Sequence, residues 1–375
     1  MAFKVNRTKA DLCSYPPYVI MGEEKVGKTT LFRDLVICKY KVPERGLLIS
    51  LGNEEGFLAL DDINYEEAKV WSKMDDGISR GLVEIIDEVI QTQQDSDTSI
   101  RMVALDTLDQ LVALAIKKVF EEHREIYGSY PKSINDAFGG FNRGKERVNT
   151  IIEEQISRLR EANIAVFILA HTKVKSNNDI YSGITYDVIT NNLESTYYKP
   201  IADRAQMIVN IVYKREFGDI AEKKKKVNTK EGEVVKKGNL VSTERMMVFC
   251  NDPFVDAGGR FSGLPQALPL SAENFLKAFE IGVKNSSRAT EEEMAERKIE
   301  ETKINEDIAK QTSLKEELDK KEEIAKEITD WIRANTENST EVVALIKKKK
   351  FKGFSRKDLE TISLDDLLEV QKLLV

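Results

Sequence analysis

Residues Gly22-Glu23-Glu24-Lys25-Val26-Gly27-Lys28-Thr29 place two glycines, an ammonium and a hydroxyl at the spacing G-x-x-x-x-G-K-[ST]. Glycines allow successive backbone N–H groups to curl toward an anion, and the start of a following helix adds its positive dipole end. The flanks suit that task. Tyr18-Val19-Ile20-Met21 reads as a short apolar strand, and Thr30-Leu31-Phe32 with Leu35-Val36 opens an amphipathic helix. Residues Gly22 to Thr30 are therefore expected to cradle phosphates. Lys28 is expected to reach the β- and γ-phosphates, and Thr29 to place its hydroxyl on Mg²⁺. The spacing predicts a chain that binds ATP with Mg²⁺.

Such a site needs a second anchor for the cation. Arg101-Met102-Val103-Ala104-Leu105-Asp106 is an apolar strand ending in a carboxylate, and Asp106 is the expected anchor, acting with Thr29. P-loop enzymes of the AAA+ class carry a catalytic glutamate directly after this aspartate, whereas here Thr107 stands in that place. The group that aims the attacking water must come from elsewhere. Gly46–Leu51 is the next predicted strand after the loop, expected beside the P-loop strand, and it leads into Gly52-Asn53-Glu54-Glu55-Gly56. Glu54 and Glu55 are the candidate bases, and both also read as ordinary loop carboxylates. His171 closes the predicted strand Ala165–Ala170. It reads either as a γ-phosphate sensor or as a polar residue ending a strand.

The elements that must position these groups alternate along the chain. Apolar runs at Tyr18–Gly22, Gly46–Leu51, Met102–Asp106, Ala165–Ala170, Met207–Tyr213 and Arg245–Cys250 are separated by helical segments at Gly81–Gln91, Leu108–His123 and Arg143–Ala162. Runs apolar on both faces predict an α/β fold with a mostly parallel central sheet covered by helices. The core is expected over residues 1–283. A charged helical linker is expected over 284–326, rich in Glu and Lys, and a small C-terminal helical unit over 327–375, with Ser363 and Asp366 marking a helix start.

Composition bounds the rest. The 375 residues are 41% hydrophobic and 32% charged, with net charge −7, so no global basic field exists and any nucleic-acid contact must be local. Three scattered cysteines argue against a disulfide framework and for a reducing compartment. No apolar run is long enough to span a bilayer. A soluble, cytoplasmic protein without membrane contact is the expectation.

Taken together, the G-x-x-x-x-G-K-T loop, Glu55-Gly56 after the second strand, Leu105-Asp106-Thr107 and Leu169-Ala170-His171 resemble the RecA-like ATPases of phages. More narrowly they are similar to phage nucleotide-binding proteins related to RecA-type recombinases and single-strand annealing proteins. The likeness runs from about Pro16 to Gly282 and includes Ala257-Gly258-Gly259-Arg260-Phe261 with Leu264-Pro265. The resemblance favours Glu55, which directly precedes glycine, as the base. It implies a RecA-like core, ATP hydrolysis, a homo-oligomer, and single-stranded DNA held by the loops before and after the fourth strand. Those loops run from Tyr127 to Glu146, with Arg143 and Lys145, and from Thr172 to Lys199, with Lys173, Lys175, Tyr181 and Tyr186. The chain departs from RecA at Phe249-Cys250-Asn251-Asp252, which lacks the late lysines that reach a neighbour's ATP; Arg260, Lys214 or Arg215 would have to supply that cation in trans.

Two basic clusters add to this reading. Lys223, Lys224, Lys225 and Lys226 fall in a predicted hairpin or arm over about 216–244, and Lys347 to Lys350 lie near Phe351 and Phe354. The sequence thus predicts an ATP-hydrolysing protein that engages single-stranded DNA in phage recombination or replication, alongside recombination or replication proteins. A helicase-like motor or replication loader, and a nucleotide-controlled assembly switch, are the alternatives. Partition-type ATPases are disfavoured, since Glu23 occupies the loop position where they carry an extra lysine.

Overall fold

Five runs with burial on both faces build the centre of the molecule. They are β1 (Tyr18–Gly22), β2 (Gly46–Leu51), β4 (Met102–Asp106), the first half of β5 (Ala165–Asn178) and the first part of β7 (Met207–Lys224). β3 (Tyr65–Ala68), β6 (Thr185–Asn191), β8 (Val234–Val248), β9 (Gly258–Gly259) and β10 (Ala267–Pro269) complete the sheet. The computed structural model describes residues 11–15, 17–72, 80–94, 99–224, 234–250 and 252–286, then parts of 295–374.

The sheet order is β10-β8-β7-β1-β5-β4-β2-β3, with β6 on β5 and β9 on β7. The run from β7 through β1, β5, β4 and β2 to β3 is parallel, while β8, β10, β6 and β9 pair antiparallel. This is the mostly parallel α/β sheet that the apolar runs predict. One expectation is corrected. β2 is not beside β1; β5 and β4 stand between them. The glutamates after β2 therefore approach the phosphate loop across the ends of two strands rather than from next door.

Alternation along each strand divides the core. Val19, Met21, Ile49, Val103, Leu105, Val166 and Ile168 share one face with helices α2 (Leu82–Gln91), α3 (Leu108–Tyr127), α4 (Arg143–Glu161) and α5 (Ser195–Ala202). The other face is aromatic. Tyr18 stacks on Phe167 with ring centroids 5.0 Å apart. Phe275 of α6 (Ala272–Ser286) sits 6.0 Å from Phe167, and Phe32 of α1 (Lys28–Tyr40) 5.8 Å from it. Each such ring, fully buried, contributes about 2–3 kcal/mol. Together they hold α1, and hence the loop before it, against β1 and β5.

Two of the strands outrun the sheet. β5 is buried from Ala165 to Ala170, then continues in the open and pairs with β6 from Thr172 to Asn178. The segment expected as a loop over 172–199 is thus a hairpin followed by α5. β7 likewise pairs with β8 far past the core, out to Lys224 with Val234. The predicted basic hairpin is therefore a two-stranded ribbon. Lys225 and Lys226 lie outside the described residues, and of Lys223 and Lys224 only the backbone, within β7, is described.

The chain divides into two compact units, Met1–Met294 and Ala295–Val375. Most of the charged stretch 284–326 lies outside the described residues. In the second unit a helix over 320–334 (α7), α8 (Thr340–Lys348), α9 (Arg356–Leu359) and α10 (Leu364–Gln371) enclose Ile324, Ile328, Val342, Leu359, Leu367 and Val370. Ser363 caps α10 by accepting from the Asp366 N–H at 3.1 Å, as its spacing predicts. Lys349, one of the C-terminal basic cluster, is paired with Asp366 at 2.5 Å and Glu369 at 2.6 Å, while Lys350 and Lys352 lie outside the described residues.

Candidate active site

The loop between β1 and α1 needs both of its glycines. A Cβ on Gly22 would come within 2.7 Å of Val26 Cγ1 and 3.0 Å of the Ile211 carbonyl. Gly27 holds φ +106°, a conformation other residues rarely adopt. Gly27 also precedes α1 without a side-chain cap, and no acidic residue sits in the first turn. The leading N–H groups of that helix are therefore left to an outside acceptor. Glu23, Glu24 and Lys25 are exposed at the loop's rim, whereas Val26 is buried as its apolar anchor.

Lys28 is only 6% exposed, and its Nζ donates to the carbonyls of Gly22 at 3.0 Å and Glu23 at 2.9 Å. Burial pulls its pKa down, opposed by the carboxylates of Asp106, Glu54, Asp109 and Glu24. The Thr29 hydroxyl donates to Asp106 Oδ2 at 2.9 Å. These are the two residues expected to meet at Mg²⁺, and the fold brings them together. Burial lifts the Asp106 carboxyl to about 6; Glu54 adds to that lift, while the Thr29 hydrogen bond, Lys28 and His171 oppose it.

Among the described residues no group of three or more His, Cys, Asp or Glu could hold a metal alone. One carboxylate and one hydroxyl suit Mg²⁺, which keeps waters and shares its other positions with phosphate oxygens. Several buried polar atoms with no protein partner lie at this same end of the sheet. They include Thr107 Oγ1, Asp109 Oδ1 and Asn210 Oδ1, the last on the β7 residue opposite Met21. Charged, hydrated ligands would satisfy such atoms.

The structure separates the two candidate glutamates. Glu54 is half-buried and is among the main charges acting on both Lys28 and Asp106, whereas Glu55 is exposed and is among the main charges on neither. Ser50 Oγ fixes the backbone here, donating to the Glu54 carbonyl at 2.5 Å. Of the two candidates, Glu54 is the one placed toward Lys28 and Asp106. His171, opposite Gly22 in the β1–β5 register, lies 2.9 Å through Nδ1 from Asp109 Oδ2 in the first turn of α3.

Arg260 is not at this site. Its Nη2 donates to the Asp203 carbonyl at 2.6 Å, and its N–H to the Gln206 carbonyl at 3.0 Å. Those contacts lie at the start of β7, a strand's length of roughly 15 Å from the phosphate loop. There it lines a cleft with Pro17, Arg160 and Arg204. Only a neighbouring copy could receive its charge at a nucleotide. Lys214 and Arg215 are exposed on β7 beyond the loop, and the Arg215 guanidinium lies 5.1 Å from the Tyr213 ring centroid.

The residues expected to meet DNA fare differently. Lys175 is exposed on the β5–β6 hairpin, and Lys173 is exposed with its Nζ donating to the Asn192 carbonyl at 2.8 Å. Ile180 and Tyr181 at the tip are 92% and 99% exposed. Lys145 is instead committed to Glu194 at 2.8 Å, and Arg143 Nη1 donates to the Phe138 carbonyl at 3.2 Å. One further residue at the site has no signal in the sequence. Arg245 of β8 reaches the phosphate loop, with Nη1 donating to the Val26 carbonyl at 3.2 Å.

A family model described as AAA domain matches residues 15–261, from just before β1 to just past β9. The chain belongs to the AAA domain family. Membership makes the core a nucleotide-binding P-loop ATPase domain, in agreement with the loop, the sheet and the Thr29–Asp106 contact. Within this AAA domain Thr107, rather than a glutamate, follows Asp106. No curated protein matches the chain. Among the described residues no helix is long and apolar enough to cross a membrane.

Proposed function

We propose that this AAA-domain protein hydrolyses ATP with Mg²⁺ and engages single-stranded DNA as a RecA-like homo-oligomer in phage recombination or replication. In this reading Lys28 and the amides of residues 22–30 hold the phosphates, and Thr29 with Asp106 holds the cation. Bound Mg²⁺ would neutralise charge building on the phosphate oxygens. Glu54 orients the attacking water, since its carboxylate is the one that feels Lys28 and Asp106. His171 reports on the γ-phosphate through Asp109 and passes the signal along β5 into the hairpin that β5 continues.

The observation that carries the DNA reading is the β5–β6 hairpin. It presents Lys173 and Lys175 in the open on the same strand that bears His171 beside the phosphate loop, with Tyr181 exposed in the turn that follows. Cations for the phosphate backbone and an aromatic for base stacking suit single strands. The test is the steady-state ATPase rate with and without single-stranded DNA, with Lys28→Ala as the inactive control. Stimulation by DNA supports the proposal. An unchanged rate together with no DNA binding in a gel-shift titration would refute its DNA half and leave ATP hydrolysis standing.

A further inference from the structure

Arg245 stands on β8, opposite Tyr213 of β7, and 219 residues from the loop residue it touches. Beyond its hydrogen bond to the Val26 carbonyl, it packs against the next residue. A Cβ built on Gly27 would meet Arg245 Nη1 at 2.9 Å. The guanidinium thus rests on the Val26–Gly27 peptide itself. Among the described residues it has no carboxylate partner and makes no other side-chain hydrogen bond, so four of its five N–H donors are uncommitted.

This contact has a directional consequence. In a trans peptide the C=O and the N–H point to opposite sides. With the Val26 carbonyl turned to Arg245, the Gly27 N–H points to the opposite side of that peptide, away from the guanidinium. That N–H makes no backbone hydrogen bond among the described residues. A hydrogen bond from a cation to the carbonyl also polarises the peptide and strengthens its N–H as a donor. Arg245 adds, besides, a positive charge at the Val26–Gly27 peptide, with no carboxylate partner among the described residues.

We propose that Arg245 is a positioning residue for the nucleotide's phosphates, acting through the Val26–Gly27 peptide. The proposal rests on the nucleotide-binding reading of the loop. Its recognition is of the pyrophosphate group, not of the base or sugar, because only the loop's amides are addressed.

The test uses the full chain, displacement of a fluorescent ATP analogue, and inorganic pyrophosphate as competitor. Arg245→Ala is expected to weaken ATP and pyrophosphate by the same factor, about tenfold, the typical worth of one charge-assisted hydrogen bond. Arg245→Lys should recover part of that loss, and Arg245→Met, which keeps the stem without a donor, should recover none. Wild-type pyrophosphate affinity in folded Arg245→Ala overturns the proposal. If the alanine variant melts early, Arg245→Met decides the case by the same criterion. Failure of the wild-type chain to bind either ATP or pyrophosphate would instead refute the nucleotide reading on which the proposal stands.

Discussion

Asparagine in place of Asp106 should stabilise the protein when no nucleotide or Mg²⁺ is present. Asp106 is 3% exposed and has one hydrogen-bonding side-chain partner, the Thr29 hydroxyl. Burial raises its carboxyl from 3.8 to about 6. The folded state therefore keeps the proton over a pH range in which the unfolded chain has lost it. Stability from this group is full below about pH 4 and is lost as pH rises through about 6. At neutral pH the ionised carboxylate costs about 3 kcal/mol, an upper figure set by a shift of roughly two pH units. Asparagine retains the shape and an acceptor for Thr29 without the charge. Urea denaturation of Asp106→Asn and wild type from pH 4 to 7.5 should show curves that meet at the acid end. They should separate by about 1–3 kcal/mol at pH 7, a thermal gain of several degrees. Mg²⁺ with ATP should reverse the order by stabilising the wild type more. An Asp106→Asn variant no more stable than wild type at pH 7 without ligands would refute the reasoning.

Glu54→Gln should leave ATP binding intact and slow single-turnover hydrolysis about a hundredfold or more, whereas Glu55→Gln should retain most of the rate. The reverse ranking would return the base to Glu55. Reversing charge at Lys173 and Lys175 should weaken single-stranded DNA binding and flatten its dependence on log salt by roughly 0.7 for each phosphate no longer neutralised. An unaltered slope would remove the β5–β6 hairpin from the DNA surface. Phe275→Ala, at a fully buried ring between Phe167, Tyr18 and Phe249, should cost about 3–5 kcal/mol in chemical denaturation. A cost below about 1 kcal/mol would mean that α6 is not packed as described.

What can be read from the chain alone is what burial writes into it. β1, β2 and β4 are buried at every position, and their apolar runs mark their ends to the residue. β3 reads Tyr-Glu-Glu-Ala and β6 Thr-Tyr-Asp-Val-Ile-Thr-Asn; both lie largely in the open and carry no such run. β5 reads as finished at Ala170 because the remainder is polar, although pairing with β6 extends it to Asn178. The phosphate loop is legible because its spacing is local. The ranking of Glu54 over Glu55 depends on how one loop folds back across two strand ends, and neighbouring identical residues carry no trace of that. Arg245 is invisible for a different reason. It joins the loop through sheet order, with β7 beside β1 and β8 next beyond β7. Arg260, by contrast, sits in a suggestive motif that the β7–β9 pairing holds at the end of the sheet away from this chain's own phosphate loop.

β5 and β7 flank β1 on either side, and both continue past it, paired with β6 and β8. The two extensions are tied together at their base: Ile189 of β6 bridges Val255, the Thr190 hydroxyl donates to Asp256 Oδ2, and Asn210 of β7 donates to the Asp256 carbonyl. A pull on the β5–β6 hairpin therefore reaches β7 as well as β5, and so both neighbours of the strand that ends at Gly22.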